Sequence, residues 1–307
     1  NELGLGALER PEDITTISAA DKGLLIHRVI EQFFADVTAQ GTFPQANQSW
    51  NAVHRETLHR VAEQAFSYAE SSGTTGKAVL WDLERHEILS DLDSFLEADA
   101  RRREDFGTAT AHVESRFGMP DSGVERSWPN ASILLADGEL LQFHGLIDRV
   151  DITKSGDQAL VIDYKTGSTA PYKNVAKDQI DQGRSLQLPV YALAVRSALG
   201  EQVSVSAAYW FISHRGKFKM VPPEPATLDE VLEGFESAVS TIVAGIRGGL
   251  FPANPGRPDR GSFENCRYCD FDSLCPSYRD VSWRRNQSDP RLSAYKELAQ
   301  LNNVTAS

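Results

Sequence analysis

Only three cysteines and two methionines occur in the 307 residues, and all three cysteines lie between residues 266 and 275. A disulfide framework would show an even number of cysteines spread along the chain, so that class is excluded. Clustered thiols point instead to metal or cluster ligation in a reducing compartment, which makes a cytoplasmic location the expectation. No run of 18 or more apolar residues is present, so neither a transmembrane helix nor a membrane partner is expected. No secretory signal pattern opens the chain. No GxxxxGK[ST] phosphate loop occurs, so this segment encodes no ATP-driven motor.

Basic charge is also scarce. Lys and Arg number 31 against 43 Asp and Glu, a net charge of -12, which at first argues against a nucleic-acid partner. The deficit is uneven, however. Residues 1–164 carry 14 basic and 28 acidic side chains, whereas 165–220 carry eight basic and three acidic. Solvated surface charge and a phosphate-binding face both remain open on charge alone.

What is present is an ordinary globular composition, 41% hydrophobic and 24% charged, with length for a sizeable core. Ser18-Ala-Ala-Asp21 resembles a capping box, and Leu25, Ile26, Val29, Ile30, Phe33 and Val37 follow at helical spacing. The pattern predicts helices over 20–39, 48–71 and 82–106. The period then shortens, predicting strands over 109–117, 131–136, 139–151 and 158–164, with turns at Asp137-Gly138 and Ser155-Gly156-Asp157. A helix over 174–199, strands over 203–213 and 216–221, and a helix over 227–247 complete the reading. The fold class expected is α/β or α+β, helices layered around a mixed sheet.

The stretch VIDYKTG, residues 161–167, places Asp163 and Lys165 on one side of a strand, because side chains alternate with period two. A structural ion pair is one reading. The preceding strand, GLIDRVD at 145–151, adds Asp148 among apolar neighbours, and two acids on apolar strands are costly to bury unless they pair or bind a cation. Hard divalent cations use one or two carboxylates with water and phosphate. Lys165 would then orient or deprotonate a water. Asp151 is a rival to Asp148, but it has the opposite strand parity and lies nearer the turn. His27 lies on the first helix, either as a packed core residue or as a ligand for Mn2+ or Mg2+. Gln187 and Tyr191, four apart on the later helix, share a face, for helix packing or for contact with a phosphate.

GLLIH (GxxxH), GLIDRVD (GxIDRxD), DYKTG and QLPVY (QxxxY) occur in that order. Together they resemble the RecB-type branch of the PD-(D/E)XK nucleases, over nearly the whole chain. The resemblance implies a restriction-endonuclease-like core with a central mixed sheet flanked by helices, and an N-terminal helical insert. It implies that His27, Asp148, Asp163 and the backbone carbonyl of Tyr164 hold Mg2+ or Mn2+. Lys165 corresponds to the catalytic lysine, and Gln187 and Tyr191 to an accessory helix motif; Glu114, in HVESRF, matches a frequent upstream acid. One nuclease domain over 1–307 is expected, with a first core helix at 20–41, an insert at 42–107, a catalytic core at 108–250 and a cysteine-containing segment at 251–307.

Cys266-x2-Cys269-x5-Cys275-Pro276 is tight spacing. Zinc with three Cys and a His is one possibility, although the nearest upstream histidine is His214 and none follows Cys275. A [4Fe–4S] cluster needs four thiolates. The segment is similar to the C-terminal part of the iron–sulfur staple in AddB-like nucleases, where a first cysteine precedes the GxxxH helix. This chain has no such cysteine and opens on Asn1, so a fragment of a longer protein is expected, with the cluster complete only in that protein. The implied activity is metal-dependent DNA hydrolysis, as an exonuclease of a repair or recombination helicase–nuclease. DNA and a helicase region or subunit are the expected partners. Lys173, Lys177 and Arg184, with Arg257, Arg260, Arg284 and Arg285, are candidates for tracking the DNA backbone. The alternatives are a catalytically silent DNA-binding or scaffold module of the same fold, or a CRISPR-adaptation-type nuclease.

Overall fold

A computed structural model describes residues 14–119, 127–266, 269 and 274–300. The chain divides into two compact units. The first takes in residues up to 133, 140–181 and 185–232; the second takes in 134–139, 182–184 and residues from 233 onward.

In the first unit, three helices precede the sheet. Helix α1 (Ala19–Ala39) begins where the Ser18 side chain accepts the Asp21 N–H, and it buries Leu25, Ile26, Val29, Ile30, Phe33, Phe34 and Val37 on one face. Helix α2 (Ala52–Ser71) opens on a reciprocal cap between Asn51 and His54. Helix α3 (Ala78–Phe106) stops at Gly107, whose φ of 72° closes the helix in the left-handed conformation.

The sheet follows in five strands: β1 (Thr108–Phe117), β4 (Gly145–Thr153), β5 (Gln158–Lys165), β6 (Ser204–Phe211) and β7 (Met220–Val221), in that spatial order. The β1–β4–β5 ladder is antiparallel, β5 and β6 run parallel, and β7 returns antiparallel. A short hairpin, β2 (Ala131–Leu134) and β3 (Leu140–Phe143), is inserted before β4. The single strand expected over 139–151 is thus two strands separated at His144.

The two faces of the sheet have different destinations. Leu160, Ile162 and Tyr164 of β5 and Trp210 of β6 join the buried cluster of α1, α2 and α3. Residues of opposite parity, Val161, Asp163 and Lys165, face the other way. Helix α4 (Gln187–Leu199) packs against β5 and β6.

That helix is shorter than the 174–199 expected. Residues 170–172 and 181–183 form 3-10 turns, and Asp181, Gln182 and Gly183 have φ of 41°, 57° and 84°. Left-handed residues cannot continue a right-handed helix. Pro189 is the third residue of α4, where a missing N–H costs nothing but an upstream extension would meet its ring.

Buried charge ties α3 to β4. Asp99 is fully buried and accepts from Trp50 Nε1 at 2.7 Å, Arg103 Nε at 2.8 Å and Arg149 Nη1 at 2.7 Å. Arg149 Nε donates to Asp151 at 2.6 Å, and Arg102 pairs with the same carboxylate. Arg103 also donates to the carbonyls of Pro44, Gln45 and Gln48, fixing the loop between α1 and α2.

Helix α5 (Leu228–Arg247), which enters the second unit at Glu233, ends on Arg247, which pairs there with Asp137 and Glu139 at 2.6 and 2.7 Å. A two-residue hairpin, β8 (Pro258–Asp259) with β9 (Ser262–Phe263), and helices α6 (Arg279–Asn286) and α7 (Ser293–Leu298) follow. Among the described residues no helix is long and apolar enough to cross a membrane.

Candidate active site

The site forms where β4 and β5 part. Their register runs from Ile152↔Ala159 to Arg149↔Ile162, and there the ladder ends. The next N–H, of Tyr164, donates to the Asp148 side chain at 2.7 Å instead. Asp148 therefore occupies the fork between the strands, opposite Asp163 and on the same sheet face. Asp151 has the other parity. It accepts from Arg149 and Thr108 in the buried network, so the two aspartates of GLIDRVD serve opposite faces.

Helix α1 brings His27 to the same fork. Its Nε2 lies 3.1 Å from the Tyr164 carbonyl oxygen and its Nδ1 3.5 Å from Asp148 Oδ2. Burial alone would lower the His27 pKa, but the hydrogen-bonding contact and charge of Asp148, with Asp163 behind it, raise it.

Glu114 completes the cluster from β1. Val113 pairs with Arg149 and Ser115 with Ile147, which sets Glu114 opposite Asp148. Its φ of 47° is left-handed, a conformation that costs a non-glycine residue about 1–2 kcal/mol. Such strain persists where the surroundings over-determine it. His27, Glu114 and Asp148 each offer a ligand atom, and these atoms lie within 4.8 Å of one another. Burial pushes the Glu114 carboxyl up to about 8, with Asp148, Glu31 and Asp163 adding to the shift and His27 opposing it. Glu114, its pKa raised by burial and by three neighbouring acids, sits in a carboxylate-rich donor set that a cation would complement. The oxygen and imidazole donors fit a divalent cation of the Mg2+ or Mn2+ kind.

Asp163 lies beside this set rather than in it. Burial raises its pKa to about 6, while Lys165, with which it pairs, opposes the shift. The Lys165 ammonium stands 4.9 Å from the centre of the Tyr209 ring. Burial would lower its pKa, but Asp163 more than compensates, so Lys165 stays protonated.

Tyr191 and Gln187 reach the site from α4. Gln187 Nε2 donates to Tyr191 Oη at 3.0 Å. Burial raises the Tyr191 pKa, Gln187 opposes, and the carboxylates of Asp163, Asp148 and Glu114 add to the rise. Gly145, the glycine of GLIDRVD, leaves room for this wall. A Cβ there would come within 2.9 Å of Phe117 Cε1 and 3.7 Å of Tyr191 Cε1.

The remaining candidates lie elsewhere. Lys173 and Lys177 are exposed on the segment after β5. Arg184 belongs to the second unit, as do Arg257, which pairs with Glu264 at 2.8 Å, Arg284, which pairs with Asp280 at 3.0 Å, Arg260 and Arg285. Cys266, Cys269 and Cys275 are free thiols and are not gathered into a ligand set among the described residues. That arrangement does not fit a four-thiolate cluster, and the chemistry of the carboxylate site does not run through it. Glu31 escaped the sequence reading. It is four residues after His27 and so on the same helical face, which was the signal available.

A model of the PD-(D/E)XK nuclease superfamily matches residues 2–276. The chain is 26% identical over 245 residues to an ATP-dependent helicase/deoxyribonuclease subunit of Alkaliphilus metalliredigens (strain QYMF), covering 77% of this chain and 19% of that protein. A protein of the same name from Acetivibrio thermocellus is 28% identical over 200 residues, 62% of this chain and 16% of the relative. The chain thus spans less than a fifth of the length of these relatives. It is also 28% identical over 144 residues to the Gene 69 protein of Mycobacterium phage D29, covering 47% of this chain and 45% of that one.

Proposed function

Since the chain belongs to the PD-(D/E)XK nuclease superfamily, we propose that it is a Mg2+- or Mn2+-dependent deoxyribonuclease acting from DNA ends, the nuclease part of a repair or recombination helicase–nuclease. The observation that carries this reading is the convergence of His27, Glu114 and Asp148 at the fork beside the Asp163–Lys165 pair. The names of the two bacterial relatives, which join a helicase to a deoxyribonuclease, support a helicase region in the same polypeptide or in a partner.

His27, Glu114 and Asp148 would hold the cation, with Asp163 and the Tyr164 carbonyl as further oxygen donors beside them. When bound, the cation lowers the pKa of a water and offsets charge on the scissile phosphate. Asp163 raises the Lys165 pKa, which favours the ammonium over a free amine that could take a proton. The Lys165 ammonium instead donates to the attacking oxygen or to a phosphate oxygen, where negative charge develops. Tyr191, oriented by Gln187, offers a phenol to a non-bridging oxygen. Lys173 and Lys177, and separately Arg184 in the second unit, would contact DNA phosphates.

Incubation of linear DNA with Mg2+ or Mn2+ is expected to release acid-soluble nucleotides, and a chelator is expected to stop it. Covalently closed circles should be spared. Hydrolysis that a chelator leaves untouched would overturn the proposal, and equal cleavage of closed circles would overturn the requirement for an end.

Proton competition supplies a second prediction. Glu114 at about 8, Asp163 at about 6 and the raised His27 must all lose protons to take up a cation. Mn2+ affinity, measured by calorimetry, is expected to tighten by about tenfold per pH unit for each proton released. The window runs from about pH 6 to about pH 8. An affinity flat across that window would show that these groups do not hold the ion.

A further inference from the structure

The segment that follows β6 is built as a companion to the end of β5. The two strands are parallel and in register from Gln158↔Ser204 to Lys165↔Phe211, so their carboxyl ends emerge at the same edge of the sheet. Ligands of open α/β sheets sit outside such carboxyl ends. Residues 212–219 leave β6 directly beside Lys165, and three contacts fasten them there. Ile212 N–H donates to the Lys165 carbonyl and Ser213 Oγ to the Thr166 carbonyl, both at 2.9 Å. Gly216 lies so close that a Cβ would meet Phe211 Cβ at 2.5 Å and the Gly167 carbonyl at 3.0 Å.

Helix α3 holds the loop from its other side. Asp91 accepts from the His214 backbone N–H at 2.7 Å and contacts His214 Nδ1 at 2.6 Å. The far ring nitrogen, Nε2, lies 3.3 Å from Ser94 Oγ. Within the loop Lys217 and Phe218 are both left-handed, with φ of 59° and 52°. A strained loop anchored at this many points is a fixed wall.

The wall presents charge that the loop does not use. Arg215, Lys217 and Lys219 are exposed, and none has a carboxylate partner among the described residues. Elsewhere in this acidic chain, exposed arginines are commonly paired, as Arg60 is with Asp36 and Arg55 with Asp93. Three unneutralised cations on a braced loop next to Lys165 match the spaced negative charges of a nucleic-acid backbone.

We propose that the 212–219 loop, braced by Asp91 and tied to the end of β5, is a phosphate-binding wall in which Arg215, Lys217 and Lys219 hold the DNA strand beside Lys165. This rests on the nuclease reading and names the surface that positions its substrate. Both the cation count and the bracing are local, so removing charge from the loop weakens binding without a general loss of fold.

The test is the binding of a short fluorescein-labelled single-stranded oligodeoxynucleotide to the full chain in EDTA, by anisotropy across a salt series. Arg215→Ser/Lys217→Ser is compared with Arg101→Ser/Lys154→Ser, which removes equal charge where α3 ends and at the β4–β5 turn. The loop variant is expected to bind about tenfold more weakly, with the log–log salt slope shallower by about 1.4 for two lost contacts. The control pair is expected to keep the parent slope. Equal changes in both variants, or none in either, would overturn the wall while leaving the nuclease reading to stand on the cleavage assay. A parent chain that neither binds nor cleaves DNA would overturn the nuclease reading and the wall together.

Discussion

Asp163→Asn and Lys165→Met are each expected to lower DNA hydrolysis by about 100- to 1000-fold, the range for loss of one pre-organised group at a developing charge. Neither change should unfold the protein. The Asp163 carboxyl is buried beside Asp148, and that burial is what pushes its pKa up to about 6. Asparagine keeps the shape and removes one of two neighbouring acids, so the thermal midpoint of Asp163→Asn should match or exceed the parent's. Activity and stability should thus move apart, the mark of a group placed for chemistry rather than for folding. In Lys165→Met the ammonium near the Tyr209 ring is lost, and Asp163 loses the charge that holds its pKa down. Its pKa should rise further, and cleavage should recover partly at higher pH as the carboxyl ionises. Variants that cleave like the parent would remove the Asp163–Lys165 pair from the chemistry.

The second large effect lies on the opposite face of the same strands. Asp99→Ala is expected to destabilise the protein by about 3–5 kcal/mol, because it leaves buried arginines without their counter-charge. Trp50, Arg103 and Arg149 all donate to this one carboxylate. The pH dependence has a definite sign. Burial alone would raise the Asp99 pKa, but Arg149, Arg102 and Arg103 hold it well below the usual carboxylate range. A depressed carboxylate adds stability that is fully present above its unfolded value, about 3.9, and is lost as pH falls toward the folded one. Parent and variant should therefore converge in thermal midpoint in strong acid, with the full difference already present above about pH 4. A variant as stable as the parent at neutral pH would show that the network is replaceable.

These two effects separate the readings that GLIDRVD and VIDYKTG invited. An Asp163–Lys165 salt bridge at a strand end and a metal-assisted site were both open from the residues alone, and the structure pairs Asp163 with Lys165 while gathering His27, Glu114 and Asp148 beside them. A separate arginine network with Asp151 and Asp99 lies on the face that packs under α1, α2 and α3. Asp148 and Asp163 lie on the other face, at the fork. Strand parity already distinguished Asp148 from Asp151, because period-two alternation depends on no distant contact.

The sequence by itself determined what depends on local periodicity and on fixed spacing. The buried stripe of α1 follows from residues three and four apart, and the shared side of Asp163 and Lys165 from residues two apart. The order of the four motifs specified the family. Tertiary structure alone decided what depends on where strands part and on how a helix is rotated over a sheet. Glu114 joins His27 and Asp148 only because β1 pairs with β4 in a register that sets a strained residue opposite the fork. Gln187 and Tyr191 share a helix face on any reading, but the break at Asp181, Gln182 and Gly183 determines where that helix begins. The 212–219 loop carries no motif. Its place beside Lys165 is set by the parallel pairing of β5 with β6 and by one aspartate more than a hundred residues away in α3, and neither leaves a periodic trace in the chain.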